Sequence, residues 1–189
     1  MTNTLWWDTA RAGGLVAAAL MAASVIAGLA LSTAPRRARP RSAWRLDLHR
    51  FLGGLACVFV AVHVGALLFD RFVPFGLTDL LVPLASRWRP TAVALGVVAL
   101  YLLVAVEVTS LLKPRIPLRV WRVVHYSSFA VFALVQLHIL LAGTDRRSPF
   151  VLVPIIACDL VVAALLVRRG LIEDGLRDRE SLRTPGGAA

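Results

Sequence analysis

The sequence predicts an all-α integral membrane protein. It is a bundle of about five transmembrane helices, with the N-terminus outside and the C-terminus cytoplasmic. Three observations carry this. Hydrophobic residues make up 58% of 189, and the mean hydropathy is +0.74, more apolar surface than a soluble domain of this length needs. The apolar residues fall in runs beyond the roughly 18 that mark a spanning helix. The 21 Lys and Arg gather in the gaps between those runs.

Five runs cover residues 14–33, 48–69, 91–112, 120–142 and 150–167. Each approaches the ~20 residues that about 30 Å of hydrocarbon requires. The first run is rich in Ala and includes Gly28, a composition suited to close packing. Asp8 and Arg11 precede it where a cleaved leader would carry a basic segment, so a permanent helix is expected. The loop 70–90 is partly apolar and is expected along the outer interface. Trp44, Trp88 and Trp121 stand just before runs two, three and four, where belt tryptophans occur.

Charge sets the expected orientation. One side collects Arg36, Arg37, Arg39, Arg41, Arg45 and Arg50, then Lys113, Arg115, Arg119 and Arg122, then Arg168, Arg169, Arg177, Arg179 and Arg183. The other holds only Arg11, Arg71, Arg87, Arg89, Arg146 and Arg147. The richer side is cytoplasmic by the positive-inside rule. The net charge of +10 therefore reads as a match to anionic lipid, with no nucleic acid partner. Cys57 and Cys158 lie inside apolar runs without a CxxC spacing, so they read as small core residues.

The only four histidines fall in two runs, His49 and His63 in the second, His125 and His138 in the fourth. The first two are 14 residues apart, about 21 Å of helix. The other two are 13 apart, about 19.5 Å. Four groups so spread cannot share one ion. The two runs cross in the same direction, so each end of the bundle receives one imidazole from each. Two neutral imidazoles facing each other across a gap are what bis-histidine ligation of a haem needs. The expectation is two b haems, the inner one on His49 and His125, the outer one on His63 and His138. Gly53, Gly54, Gly65, Ser127 and Ser128 would let a flat group approach.

Arg45, Arg50, Arg119 and Arg122 are candidates for the inner haem's propionates, and Arg87, Arg89, Arg146 and Arg147 for the outer one's. Setting topology alone is the competing role for each. One interval resists. Thirteen residues miss the starting face by about 140°, which calls for supercoiling, a bend, a π-bulge or haems rotated about the bundle axis. Glu107 and Asp159 lie inside runs; each is read as a protonated or hydrogen-bonded carboxyl facing the bundle interior, or as part of a proton path. Gln136 is expected to bond within the bundle, and Tyr126 to be interfacial.

The pairs His49-x13-His63 and His125-x12-His138, with one run between them, resemble the ferric reductase-like transmembrane domain superfamily. It includes NADPH oxidases, eukaryotic ferric reductases and the haem-binding membrane subunit of bacterial methionine sulfoxide reductase systems. Leu48-His49-Arg50-Phe51-Leu52-Gly53-Gly54-Leu55 and Trp121-Arg122-Val123-Val124-His125-Tyr126 are similar to the openings of its two haem helices. The resemblance covers about residues 13–142. It implies a transmembrane haem domain over 1–170 and a charged cytoplasmic tail over 171–189, in a bacterial-type plasma (inner) membrane. It implies an electron-transfer component of an oxidoreductase, running from a cytoplasmic donor to an outer acceptor. No GxGxxG-type phosphate loop is present, so the donor is expected to be a separate protein, or a flavin or quinol bound on the cytoplasmic side. The alternatives are a proton- or ion-conducting protein and a structural membrane protein, using His, Asp and Glu without haem. Ser-His-Asp, HExxH and P-loop patterns are absent.

Overall fold

The computed structural model describes residues 4–33 and 43–183, with side chains as far as Ile172. The first inter-span connection, with Arg36, Arg37, Arg39 and Arg41, lies outside the described residues. Six α-helices appear: α1 (Leu5–Ser32), α2 (Ala43–Phe69), α3 (Leu77–Leu81), α4 (Pro90–Leu111), α5 (Leu118–Ala142) and α6 (Pro149–Arg183). A 3-10 turn, Lys113–Arg115, joins α4 to α5. There is no strand among the described residues. Helices α1, α2, α4, α5 and the Pro149–Ile172 part of α6 are long and apolar enough to cross a membrane.

Helix ends lie beyond the apolar runs, most of all in α1 and α6. Helix α1 starts at Leu5, because a helix needs backbone hydrogen bonds and not apolar side chains. Asp8 sits in its first turn, where a negative charge suits the helix dipole. Arg11 pairs with it one turn on, at 3.3 Å. Helix α6 continues without a break to Arg183, so the charged residues up to that point extend the helix of the last span. Pro149 opens α6, where its missing N–H is no loss.

The bundle is two antiparallel hairpins. Helix α1 lies along α2, and α4 along α5, while α6 rests on α1. Small residues allow the first pairing. Ala10, Gly13 and Ala17 are buried on α1, and a Cβ added at Gly13 would come within 3.4 Å of the His63 backbone. The hairpins meet at mid-height in a cluster of Ala17, Met21, Ala56, Leu103 and Val131. The backbones of α2 and α5 barely approach each other. They run in the same direction, since His49 lies near His125 and His63 near His138.

The 70–90 loop folds back onto the bundle. Phe75 and Leu80 are buried against Val93 and Val97 of α4. Trp88 stands edge-on to Phe75 at 5.9 Å and to Trp7 at 6.2 Å. Arg89 closes the loop in the left-handed region, at φ 43°. Its guanidinium donates to the carbonyls of Leu141 at 2.7 Å and Ala142 at 3.3 Å, two orphan acceptors at the end of α5.

Candidate functional site: two imidazole pairs between the hairpins

The four imidazoles meet across the gap between α2 and α5. The rings of His49 and His125 are 6.0 Å apart, centre to centre, and nearly perpendicular at 79°. Those of His63 and His138 are 6.4 Å apart at 82°. Each pair lines its own cleft. Named after the orientation expected from charge, the His63–His138 cleft is called outer and the His49–His125 cleft inner; the outer cleft also takes Gly14, Trp88 and Arg11. The inner one takes Ser24, Glu107 and Ser110 and is larger, about 530 Å3 against about 190 Å3. Met21, Leu103 and Val131 line both, so these three side chains form an apolar partition between them.

Neighbouring helices fix three of the rings. The Nδ1–H of His63 donates to the Ala10 carbonyl at 2.7 Å. That of His138 donates to the Ala92 carbonyl at 2.7 Å. That of His49 donates to the Ser24 carbonyl at 2.9 Å, with the Ser24 hydroxyl 3.0 Å from the same nitrogen. A carbonyl can only accept, so Nδ1 carries the proton and Nε2 keeps its lone pair. Such anchoring orients an imidazole ligand and raises its basicity.

Glycine makes the anchoring possible. A Cβ added at Gly14 would stand 2.9 Å from His63 Nδ1, and one at Gly96 2.9 Å from His138 Nδ1. At Gly28 it would stand 3.2 Å from His49 Cε1. Each glycine lies four residues after the accepting carbonyl, so the ring rests on the bare helix face above it. These three glycines and Ser24 are the residues that sequence reasoning missed as site residues. A signal existed: Gly14 and Gly28 are 14 residues apart, the same interval as His49 and His63.

Helix α5 is continuous from Leu118 to Ala142, without a π-turn. The 13-residue interval is accommodated by side-chain direction instead. His138 leans on α4, while His125 lies along its own helix, stacked on Trp121 at 4.7 Å and 20°. His125 Nδ1 is buried without a hydrogen-bond partner among the described residues.

The remaining residues divide by position. Arg50 and Arg122 line the inner cleft, as do Lys113 and Arg169. Arg45 stands over the Trp44 ring at 5.6 Å. Gly54 and Ser128 line the inner cleft, and nothing lies within 4 Å of a Cβ added at Gly54 or Gly65. Ser127 bonds back to Val124 within its own helix, at 2.6 Å. Gly53 faces Glu107, whose Oε1 would be 2.9 Å from an added Cβ. Asp159 differs from the expectation of an interior carboxyl: it is exposed on the outside of the bundle, where the Gln136 amide donates to it at 3.4 Å. Helix α6 touches the bundle mainly through α1. At the outer rim, Arg11 forms an ion pair with Asp145.

The clefts fit a flat group held by two histidines. A metal–imidazole bond of about 2.0 Å plus ~1.1 Å from nitrogen to ring centre, doubled, gives about 6.2 Å between rings. The two observed separations, 6.0 and 6.4 Å, bracket that value. Among the described residues no three His, Cys, Asp or Glu side chains converge as a bare ion would require.

Fold and site together define a multi-pass helical membrane protein with two stacked imidazole pairs. The chain belongs to the family described as ferric reductase like transmembrane component, which matches residues 13–136. That stretch takes in His49, His63 and His125 and ends two residues before His138. Such membership marks a membrane electron-transfer component. No curated protein and no solved structure matches the chain.

Proposed function

We propose that the chain is a di-haem b-type transmembrane cytochrome, the membrane subunit of an oxidoreductase. His49 and His125 hold the inner haem, and His63 and His138 the outer one. The observation that carries the reading is the pair of ring separations, 6.0 and 6.4 Å, each the span of two imidazoles around one iron. A bound haem supplies one-electron reduction and reoxidation of its iron. The chain's own residues anchor three of the four rings with Nε2 left unprotonated, put an apolar partition between the two clefts, and separate the two levels by about 21 Å of helix. Arg50 and Arg122, which line the inner cleft, offer cationic partners for carboxylates of the inner group, and Arg45, one turn before His49 on α2, is a further candidate.

The excess of basic residues at the His49 and His125 end argues for a cytoplasmic inner level. Electrons then pass from a separate donor protein, a flavin or a quinol on that side to an outer acceptor, across a bacterial-type plasma membrane. The test is a reduced-minus-oxidised optical spectrum with haem counted per chain. The wild type is expected to carry two haems. His49→Ala and His125→Ala are expected to lose the same one, and His63→Ala and His138→Ala the other. A colourless protein purified under ample haem supply would overturn the proposal.

A further inference from the structure

His125 is the exception among the four histidines. The other three donate Nδ1–H to a carbonyl and rest on a glycine four residues further along the neighbouring helix. The same arrangement could have been built for His125 on α4, which already serves His138 at Ala92 and Gly96. A step of 13 residues along α4, the interval between the two histidines, leads from Ala92 and Gly96 to Ala105 and Thr109. A step of 14, the interval on α1, leads to Val106 and Ser110. Neither position 109 nor 110 is glycine. The Thr109 hydroxyl shares its one proton between the two carbonyls, Ala105 at 2.7 Å and Val106 at 3.2 Å. An imidazole here would meet a competing donor, and no glycine opens the helix face to it.

What holds His125 is an aromatic face. Its ring is stacked on Trp121 one turn earlier, at 4.7 Å and 20°. Lys113 Nζ stands over the same indole, 3.9 Å from its centre. Neither His125 Nδ1 nor Trp121 Nε1 has a hydrogen-bond partner among the described residues. Stacking fixes the plane of an imidazole, but it is satisfied equally well after a half-turn flip of the ring about Cβ–Cγ, which exchanges the places of Nδ1 and Cδ2. It also selects no tautomer, whereas a bond to a carbonyl settles both the flip and the tautomer.

We propose that His125 is the exchangeable ligand position of the inner site, and that Trp121 is its positioning residue. This rests on the di-haem reading above. The outer group is held by two anchored imidazoles, the inner one by an anchored His49 and an unanchored His125. Loss of an outer-shell hydrogen bond of this kind changes metal-site affinity by about 10–100-fold, so the inner haem leaves its site faster than the outer by about that factor.

The experiment uses the full chain in detergent with excess apomyoglobin as haem acceptor, followed by the Soret band. Two phases are expected, about 10–100-fold apart. The fast phase is assigned by His63→Ala, which keeps only the inner haem, and the slow one by His49→Ala, which keeps only the outer. Trp121→Leu is expected to speed the fast phase alone. Trp121→Phe, which keeps a stacking face, is expected to stay near the wild-type rate. Access to the wider inner cleft would make those two variants behave alike, and that result overturns the role of Trp121. Two haems leaving at one rate, or the outer leaving first, overturn the inference while the di-haem reading stands. A protein without haem overturns that reading itself.

Discussion

Gly96→Ala puts one methyl group where the His138 ring now lies. The added Cβ would stand 2.9 Å from both Nδ1 and Cε1 and 3.3 Å from Nε2. Carbon contacts settle near 3.5 Å or beyond, so the ring must retreat by about 0.6 Å. The neighbour it retreats from is the helix that anchors it, so the 2.7 Å bond to Ala92 is stretched or lost. That bond is worth about 0.5–1.5 kcal/mol net. Disturbing such a partner weakens a metal site by about 10–100-fold. Alanine in a helix interior meanwhile gains about 1 kcal/mol over glycine in backbone propensity. Haem retention and helix stability should therefore move in opposite directions, which a general packing defect would not produce. The assay is haem per chain by pyridine haemochrome, alongside thermal melting of the helical circular dichroism signal. The outer haem is expected to be lost while the helix signal melts no earlier. Gly65→Ala, with nothing within 4 Å of the new Cβ, is expected to keep both haems. Gly96→Ala retaining both haems at wild-type extraction rates would refute the socket argument.

Other substitutions should follow the same geometry. Gly14→Ala, at 2.9 Å from His63, should deplete the outer haem like Gly96→Ala, whereas Gly28→Ala, at 3.2 Å from His49, should weaken the inner one less; haem counting ranks them. Asp159→Leu removes a carboxyl from mid-span and should ease membrane insertion by about 2.5–3.5 kcal/mol, visible as higher yield. Because Asp159 lines neither cleft, the optical spectrum should not change. Arg89→Ala uncovers the carbonyl of Ala142 and leaves that of Leu141 only the 3.5 Å contact from Arg146; it should cost about 0.3–1 kcal/mol, read as faster amide exchange in the last turn of α5. Arg11→Ala breaks a pair in which both side chains are more than a third exposed, so it should lower stability by under about 1 kcal/mol, and added salt should erase the difference.

The spans were legible because a bilayer imposes a length and an apolar composition that a single sequence displays. The ends of α1 and α6 were not, since hydropathy reports the solvent around a helix and says nothing of where its hydrogen bonds stop. Asp8 and Arg11 lie outside lipid character yet inside a helix. The depth pairing of the histidines follows from counting residues and crossings, and the ring distances agree with that count. The sockets are different. A glycine in an Ala-rich span reads as close packing, and only the neighbouring helix reveals that Gly14, Gly28 and Gly96 make room for imidazoles. The difficulty with the 13-residue interval was real, but its resolution lay in the side chain of His125, which a helical wheel of Cβ directions does not show. Asp159 was placed inward because a membrane carboxyl usually is. Its helix packs on α1 alone to any extent, and nothing in its own composition says which way it turns.

Met21, Leu103 and Val131 carry a consequence for the membrane as an insulator. A proton crossing hydrocarbon needs an unbroken file of water or polar groups. Between the two imidazole pairs any such file meets Met21, Leu103 and Val131, three side chains with no hydroxyl, amide or charge. Thioether and methyl groups break the file for ions, with one histidine level on either side of them. A cell could therefore draw electrons through this bundle without short-circuiting the ion gradient across the membrane.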